Sequence, residues 1–310
     1  MSEFRSGFVS LIGRPNAGKS TLLNALAGEK LAIVSDKPQT TRTTIQGVVN
    51  LPGAQIVFID TPGIHKSTTM FNKRMMETVR TALADRDVLL FVADASIPFS
   101  PEDAEAVSVL KDLSTPVLLL ANKIDRVQDK RKLLPFIEQY KAIREFDEYL
   151  PVSATTGEGL DRVREAIVSR LPEGPAYFPT SHLTDQPERF LAAEMIREQI
   201  LRHTRQEVPH SVAVLIDRWE DSPKITKIAA TIYVERDGQK AIVIGAGGAA
   251  LKKVGTLARY EIEKIVGHKV FLELFVKVQK DWRENPEFLN AIDWRSMRGG
   301  ELDSDEGPVS

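Results

Sequence analysis

The octapeptide Gly13-Arg-Pro-Asn-Ala-Gly18-Lys19-Ser20 follows the apolar run Phe8–Ile12 and opens a helical pattern, Lys19–Leu26. It matches G-x-x-x-x-G-K-[ST] at every fixed position. No other feature restricts the fold as much, because this loop works only between a strand and a helix. Its glycines let the backbone wrap tightly enough to aim N–H groups at phosphate oxygens. The helix N-terminus adds favourable partial charge. Lys19 then reaches the β- and γ-phosphates, and the Ser20 hydroxyl binds Mg²⁺. Gly13, Asn16, Ala17, Gly18, Lys19, Ser20 and Thr21 are therefore expected to line a nucleotide.

Strand-like runs alternate with helical patterns from this loop onward. Gln55–Ile59, Asp87–Ala93 and Pro116–Ala121 read as strands. Met70–Ala84, Pro101–Leu113, Arg131–Arg144 and Leu160–Leu171 read as helices. Such alternation implies an α/β domain, a mostly parallel sheet with helices on both faces. Pro52-Gly53 interrupts it and predicts a hairpin joining Thr44–Asn50 to Gln55–Ile59, with one antiparallel edge strand. The stretch 172–179 holds three prolines and a glycine and marks a boundary. The expected division is a nucleotide domain over 1–172, a linker over 173–186, a second domain over 187–296 and an acidic flexible tail over 297–310. In the second domain Glu188–His203 and Ala249–Val266 read as helices, and Val212–Trp219, Thr226–Glu235 and Val270–Val278 as strands. Asp237-Gly238 reads as a turn into the apolar run Ala241–Ile244. Residues 181–280 carry 16 basic and 13 acidic side chains, and 281–310 carry 3 and 8, so positive charge gathers in the second domain.

Three further motifs fall at predicted strand ends. Asp60-Thr-Pro-Gly63 places a carboxylate where it can hold Mg²⁺ and a glycine N–H where it can meet a γ-phosphate. Asn122-Lys123-Ile124-Asp125 offers a carboxylate to the ring N–H and exocyclic amine of guanine, two donors that adenine lacks. The Lys123 stem can cover the base, and the Asn122 amide can tie neighbouring loops. Ser153-Ala154-Thr155 lies where a backbone N–H can read the guanine carbonyl. Between the phosphate loop and the hairpin, Gln39-Thr40-Thr41-Arg42 can bring a threonine to Mg²⁺ when γ-phosphate is present, with Thr41 preferred over Thr40.

These motifs, in this order, resemble those of translation-factor-like GTPases, and the whole chain resembles the Era family of bacterial ribosome-assembly GTPases. The second domain carries the resemblance to nearly full length. Its segment from Ile242 to Val254 is similar to the V-I-G-x-x-G-x-x-I-K segment of a KH domain, here of α+β type II order. KH domains clamp about four nucleotides of single-stranded RNA at a G-x-x-G loop. The loop here is Gly245-Ala246-Gly247-Gly248, with Lys252, Lys253 and Arg259 supplying charge on the following helix. Family loops often carry lysine where this chain has Ala246, so binding should lean on Lys252 and Lys253. A sister family with tandem GTPase domains shares the early motifs, but a single phosphate loop argues against it.

The resemblance implies GTP and GDP with Mg²⁺ as cofactors, and the single-stranded 3′ end of small-subunit ribosomal RNA as partner. It further implies work on the small ribosomal subunit as a cytoplasmic monomer. The family also makes peripheral contact with the inner membrane, for which no feature of this sequence speaks. The rival readings are an RNA-binding protein with a structural, non-hydrolysing nucleotide domain, and an ATP-using enzyme. Asp125 opposes the second, and Thr41 and Gly63 oppose the first.

The means of cleavage is unusual. Many GTPases place a water-orienting Gln just after D-x-x-G. Here that position is Ile64, with His65 adjacent, so slow unaided hydrolysis is expected, carried by Lys19, Thr41, Gly63 and Asn16. Arg14 is expected to face solvent and Arg42 to fix its own loop. In GTPases resembling this one, an Asn at the position of Asn16 helps hold K⁺ beside the β- and γ-phosphates; a brace of the loop by hydrogen bonds is the alternative. The absence of cysteine excludes disulfides and thiolate metal sites. The five histidines have no ligand spacing. Trp282 and Trp294 are read as packing the domain end rather than stacking on bases.

Overall fold

Strand β1 (Arg5–Ile12) runs directly into Gly13, and α1 (Lys19–Ala27) begins at the lysine of the phosphate loop. The computed structural model describes residues 4–37, 39–64, 69–111, 113–204, 208 and 211–293. Strands β2 (Ile45–Leu51) and β3 (Ala54–Asp60) form the expected hairpin across Pro52-Gly53. Then come α2 (Met70–Leu83), β4 (Val88–Asp94), α3 (Pro101–Ser108), β5 (Val117–Asn122), α4 (Leu133–Lys141), β6 (Glu148–Pro151) and α5 (Leu160–Val168). The strand order is β2-β3-β1-β4-β5-β6, with only β2 antiparallel to its neighbour.

The central strands are apolar at nearly every position because both faces are covered. Val88, Leu90 and Val92 pack with Leu22 and Leu26 of α1 and Val163 and Ile167 of α5. Leu89, Phe91 and Ala93 turn the other way, toward Val79 of α2, Val107 of α3 and Phe136 of α4. The loops that leave the carboxyl ends of β1, β3, β4 and β5 therefore emerge together, on a rigid base.

The stretch read as a linker is strapped to the first unit, and the main division of the chain falls between Asp185 and Gln186. Gln55, with no exposed surface, organises the strap. Its Oε1 accepts from Tyr177 N at 2.8 Å and Phe178 N at 3.0 Å, and its Nε2 donates to Phe178 O at 2.8 Å. Further on, Val48 N donates to Leu183 O at 2.8 Å and Thr184 Oγ1 to Gln46 O at 2.7 Å. Edge strand β2 is thereby covered, which removes an open template for strand pairing. Prolines stiffen this strap without freeing it.

The second unit is built from α6 (Glu188–His203), β7 (Ala213–Glu220), β8 (Ile225–Val234), α7 (Asp237–Ile244), α8 (Ala249–Val266), β9 (Lys269–Val278) and α9 (Pro286–Ala291). Its sheet is β7-β8-β9, antiparallel then parallel. The order α-β-β-α-α-β is that of a type II KH domain. One sequence expectation fails: Asp237-Gly238 is not a turn but the first turn of α7. Gln239 Oε1 accepts from Glu235 N at 2.9 Å and Arg236 N at 3.1 Å, which closes that turn from within. Trp282 is fully buried, and its Nε1 donates to Ser211 O at 2.9 Å, so it packs the domain end. Trp294 and the acidic tail lie outside the described residues. No single helix among the described residues is long and apolar enough to cross a membrane.

Gln55→Ala removes both strap acceptor and donor and orphans two backbone N–H groups. It should cost about 3 kcal/mol of stability, read as a lowered urea midpoint with unchanged slope.

Candidate functional site

The phosphate loop is held by contacts that leave no room for side chains. A Cβ on Gly18, where φ is 98°, would lie 2.3 Å from Asn122 Nδ2. A Cβ on Gly63 would lie 2.6 Å from Pro15 Cα, so the Asp60–Gly63 turn rests directly on the loop. Ile64 N donates to Gly13 O at 3.0 Å, fixing the same approach. Lys19 Nζ donates to Arg14 O at 2.9 Å and Gly13 O at 3.2 Å. Thr21 follows in the first turn of α1.

Lys19 is 5% exposed and Asp60 fully buried. Burial pushes the Lys19 ammonium down to a pKa of about 8, against the pull of Asp60. Burial likewise pushes the Asp60 carboxyl up, opposed by Lys19 and by the Ser20 hydroxyl. Ser20 Oγ donates to Asp60 Oδ2 at 2.6 Å and lies 2.7 Å from Thr41 Oγ1, which lies 3.3 Å from the same carboxylate oxygen. Asp60 Oδ1 is buried without a hydrogen-bond partner. Two hydroxyls and an under-coordinated carboxylate form a hard, all-oxygen set, which fits Mg²⁺ completed by phosphate and water.

At the base end, Asn122 joins three segments. Its Nδ2 donates to Ala17 O at 2.9 Å and its Oδ1 accepts from Ala154 N at 3.0 Å. Lys123 Nζ reaches Asn16 O and Asp94 Oδ2, both at 2.6 Å, which lays its stem across the site. Asp125 is exposed, and Ser153 Oγ fixes its carboxylate by donating to Oδ1 at 2.6 Å. Ser153 N donates to Glu158 O at 2.9 Å. The Ser153 hydroxyl thus braces Asp125, and the Ala154 N–H braces Asn122.

In the second unit Gly245, Gly247 and Gly248 have φ of 71°, 57° and 81°, and α8 starts at the end of the loop. A groove of about 410 Å³ runs from Gly248 between α8 and β9. Leu251, Gly255, Leu272 and Leu274 give it an apolar floor; Lys252, Thr256, Arg259 and Phe271 stand along it. Apolar floor, cationic rim and left-handed loop suit unstacked bases with their phosphates outside.

A family model described as 50S ribosome-binding GTPase matches residues 8–123, and a KH domain model matches 207–283. The chain is 52% identical over 293 residues to the GTPase Era of Geobacter metallireducens, covering 94% of this chain and 98% of that one. It is 50% identical to that of Heliobacterium modesticaldum, at the same coverage. The chain belongs to the Era family of GTPases. A crystal structure of Era in complex with MgGDPNP and nucleotides 1506–1542 of 16S ribosomal RNA superposes with a TM-score of 0.89 at 40% identity, covering 94% of this chain and 99% of that one. A variant of Aquifex aeolicus Era bound to GDP·AlF₄⁻ superposes equally well.

Some Era-family positions are placed differently from their sequence reading. Arg14 does not face solvent: its Nη1 donates to Asp103 Oδ2 at 2.6 Å. Ile64 is buried in the core with Ile12 and Val79 and offers nothing to a water; His65 lies outside the described residues. Lys252 and Arg259 stand along the RNA-type groove, whereas exposed Lys253 is not among its lining residues, being one step further round α8. Ala246 likewise lies off the lining, at the exposed tip of the loop. The groove floor escaped sequence reading because alternating Leu272 and Leu274 look like any strand core.

Phosphate favours the charged ammonium, so nucleotide binding must raise the Lys19 pKa from about 8. Below pH 8 the lysine is already protonated; above it, binding takes up a proton. GDP affinity should therefore fall as pH rises from 8 to 10, with proton uptake seen by calorimetry in buffers of different ionisation enthalpy.

Proposed function

We propose that this chain is a GTP-hydrolysing switch whose KH domain holds the 3′ end of small-subunit ribosomal RNA, serving assembly of that subunit in the cytoplasm. The observation that carries the reading is the gathering of Ser20 and Thr41 on Asp60, with Gly63 seated against Pro15 of the phosphate loop that holds Lys19. GDP alone has no use for Thr41 and Gly63, which are placed for a γ-phosphate.

Lys19 and the α1 N-terminus bind and orient the phosphates, and Asp125 selects guanine. Mg²⁺, held by Ser20 and Thr41 with Asp60 behind them, supplies charge neutralisation at the β- and γ-phosphates. Loss of the γ-phosphate frees the 39–42 loop and the Gly63 turn. Gly245–Gly248 with Lys252 and Arg259 clamp the RNA backbone, and the groove floor takes the bases. A relative that matches nearly the whole chain is seen with nucleotides 1506–1542 of 16S ribosomal RNA, which supports this choice of RNA. A ribosomal substrate supports the cytoplasm as the place of work.

An RNA of that sequence should bind with an affinity that falls as salt rises. Gly247→Asp, at a left-handed position with open space around it, meets no clash, costs some backbone strain and puts a negative charge at the clamp. It should weaken RNA binding at least about tenfold while leaving RNA-free GTP turnover unchanged. Equal RNA affinities for wild type and variant sink the RNA reading.

Asn16 sits exposed on the loop with φ of 63°. We propose that its side chain holds K⁺ beside the phosphates, supplying the positive charge that an arginine finger supplies elsewhere. Steady-state turnover should then be faster in K⁺ than in Na⁺ at equal ionic strength, with the difference lost in Asn16→Ala. Indifference of the wild type to the cation ends the idea.

A further inference from the structure

Asp103 is an acidic residue, 5% exposed, that neither binding site uses. It stands in the first turn of α3, where Ser100 N and Ser100 Oγ donate to its Oδ2 at 3.0 Å and 2.8 Å. Such a cap needs no more than this. Two further donors reach the same carboxylate. Tyr140 OH, from the fully buried ring on α4, donates to Oδ1 at 2.8 Å. Arg14 Nη1 donates to Oδ2 at 2.6 Å and to Ser100 Oγ at 2.8 Å. Arg14 and Asp103 are 89 residues apart, and the arginine belongs to the phosphate loop.

The loop segment carrying Arg14 is the platform for both halves of the γ-phosphate site. Arg14 O and Gly13 O accept the two bonds that steer Lys19 Nζ. Gly13 O also accepts Ile64 N at 3.0 Å, and Pro15 is the surface on which Gly63 rests. Whatever fixes residues 13–15 fixes the distance between Lys19 and Gly63. Loop backbone is soft, whereas the far end of the Arg14 side chain is bonded to α3 and, through Asp103, to α4. Burial, then the neighbouring Asp103 charge, raises the Tyr140 pKa, so the phenol stays a neutral donor to the carboxylate.

We infer that Asp103 is a positioning residue for GTP cleavage, acting through Arg14 on the backbone of residues 13–15. Neither side chain touches nucleotide. Their effect falls on the step that needs Lys19 and Gly63 in fixed relation, which is cleavage of GTP and not retention of GDP. The inference rests on the hydrolytic reading above; a wild type that binds GTP without turning it over would overturn that reading and leave this one without its reaction.

The experiment uses the full chain with Arg14→Ala, Asp103→Asn, the double variant and Tyr140→Phe. It measures kcat for GTP, GDP affinity and melting temperature. In Arg14→Ala and in Asp103→Asn, kcat should fall about tenfold, since small displacements of positioned groups cost that much. GDP affinity should stay within about threefold, because binding common to both nucleotides is kept. The double variant should be no slower than the slower single variant, as the two residues act as one unit. Tyr140→Phe removes the rear bond and leaves the Arg14 pair, so it should lower the melting temperature while kcat holds within about twofold. Unchanged kcat in both single variants overturns the inference. So does a parallel fall of kcat, GDP affinity and melting temperature, which is the signature of a purely structural pair.

Discussion

Burying a cation and an anion side by side at the ends of β1 and β3 is the constraint on which the first domain depends. Lys19 and Asp60 are almost sealed from water, and each is pushed toward its neutral form by that burial. Such charges are costly unless every neighbour is aligned to them. Here the alignment comes from loop carbonyls on Lys19 and from hydroxyls on Asp60, with one carboxylate oxygen left for a metal. Phosphate and Mg²⁺ relieve the strain that the protein alone leaves, which is why nucleotide and metal belong to the fold as much as to the reaction.

The sheet makes this arrangement possible. Strand β1 lies between β3 and β4, so the chain leaves it at the point where successive connections turn to opposite sides. Ligands bind at such crevices beyond the carboxyl ends of parallel strands. The motifs are far apart in sequence but short in reach, each a few residues past a strand. Asn122 then closes the ring by bonding Ala17 on one side and Ala154 on the other. Removing any one strand from register would displace a motif by a whole residue.

The second domain solves a different problem with softer means. Its groove has no buried charge to align, only leucines under a cationic rim. Affinity drawn from phosphate contacts is tolerant of sequence, and selectivity then comes from base edges and stacking in the groove. Having Ala246 at the loop tip, off the groove lining, is therefore a change of degree, because Lys252 and Arg259 stand along the groove itself.

The sequence by itself determined the motifs, the alternation of elements and the hairpin at Pro52-Gly53, because each is written in contiguous residues with a local periodicity or a fixed spacing. It misread α7, since Ala241–Ile244 is too short to separate helix from strand and its cap is a single glutamine. It left Arg14 in solvent and did not show that the 173–186 linker is strapped to β2 and β3. Those matters were settled only by tertiary structure. Arg14 meets Asp103 across 89 residues, and Gln55 meets Phe178 across 123. No propensity or pattern records which side chain a distant carboxylate or amide will find; that follows from where the packed sheet carries it.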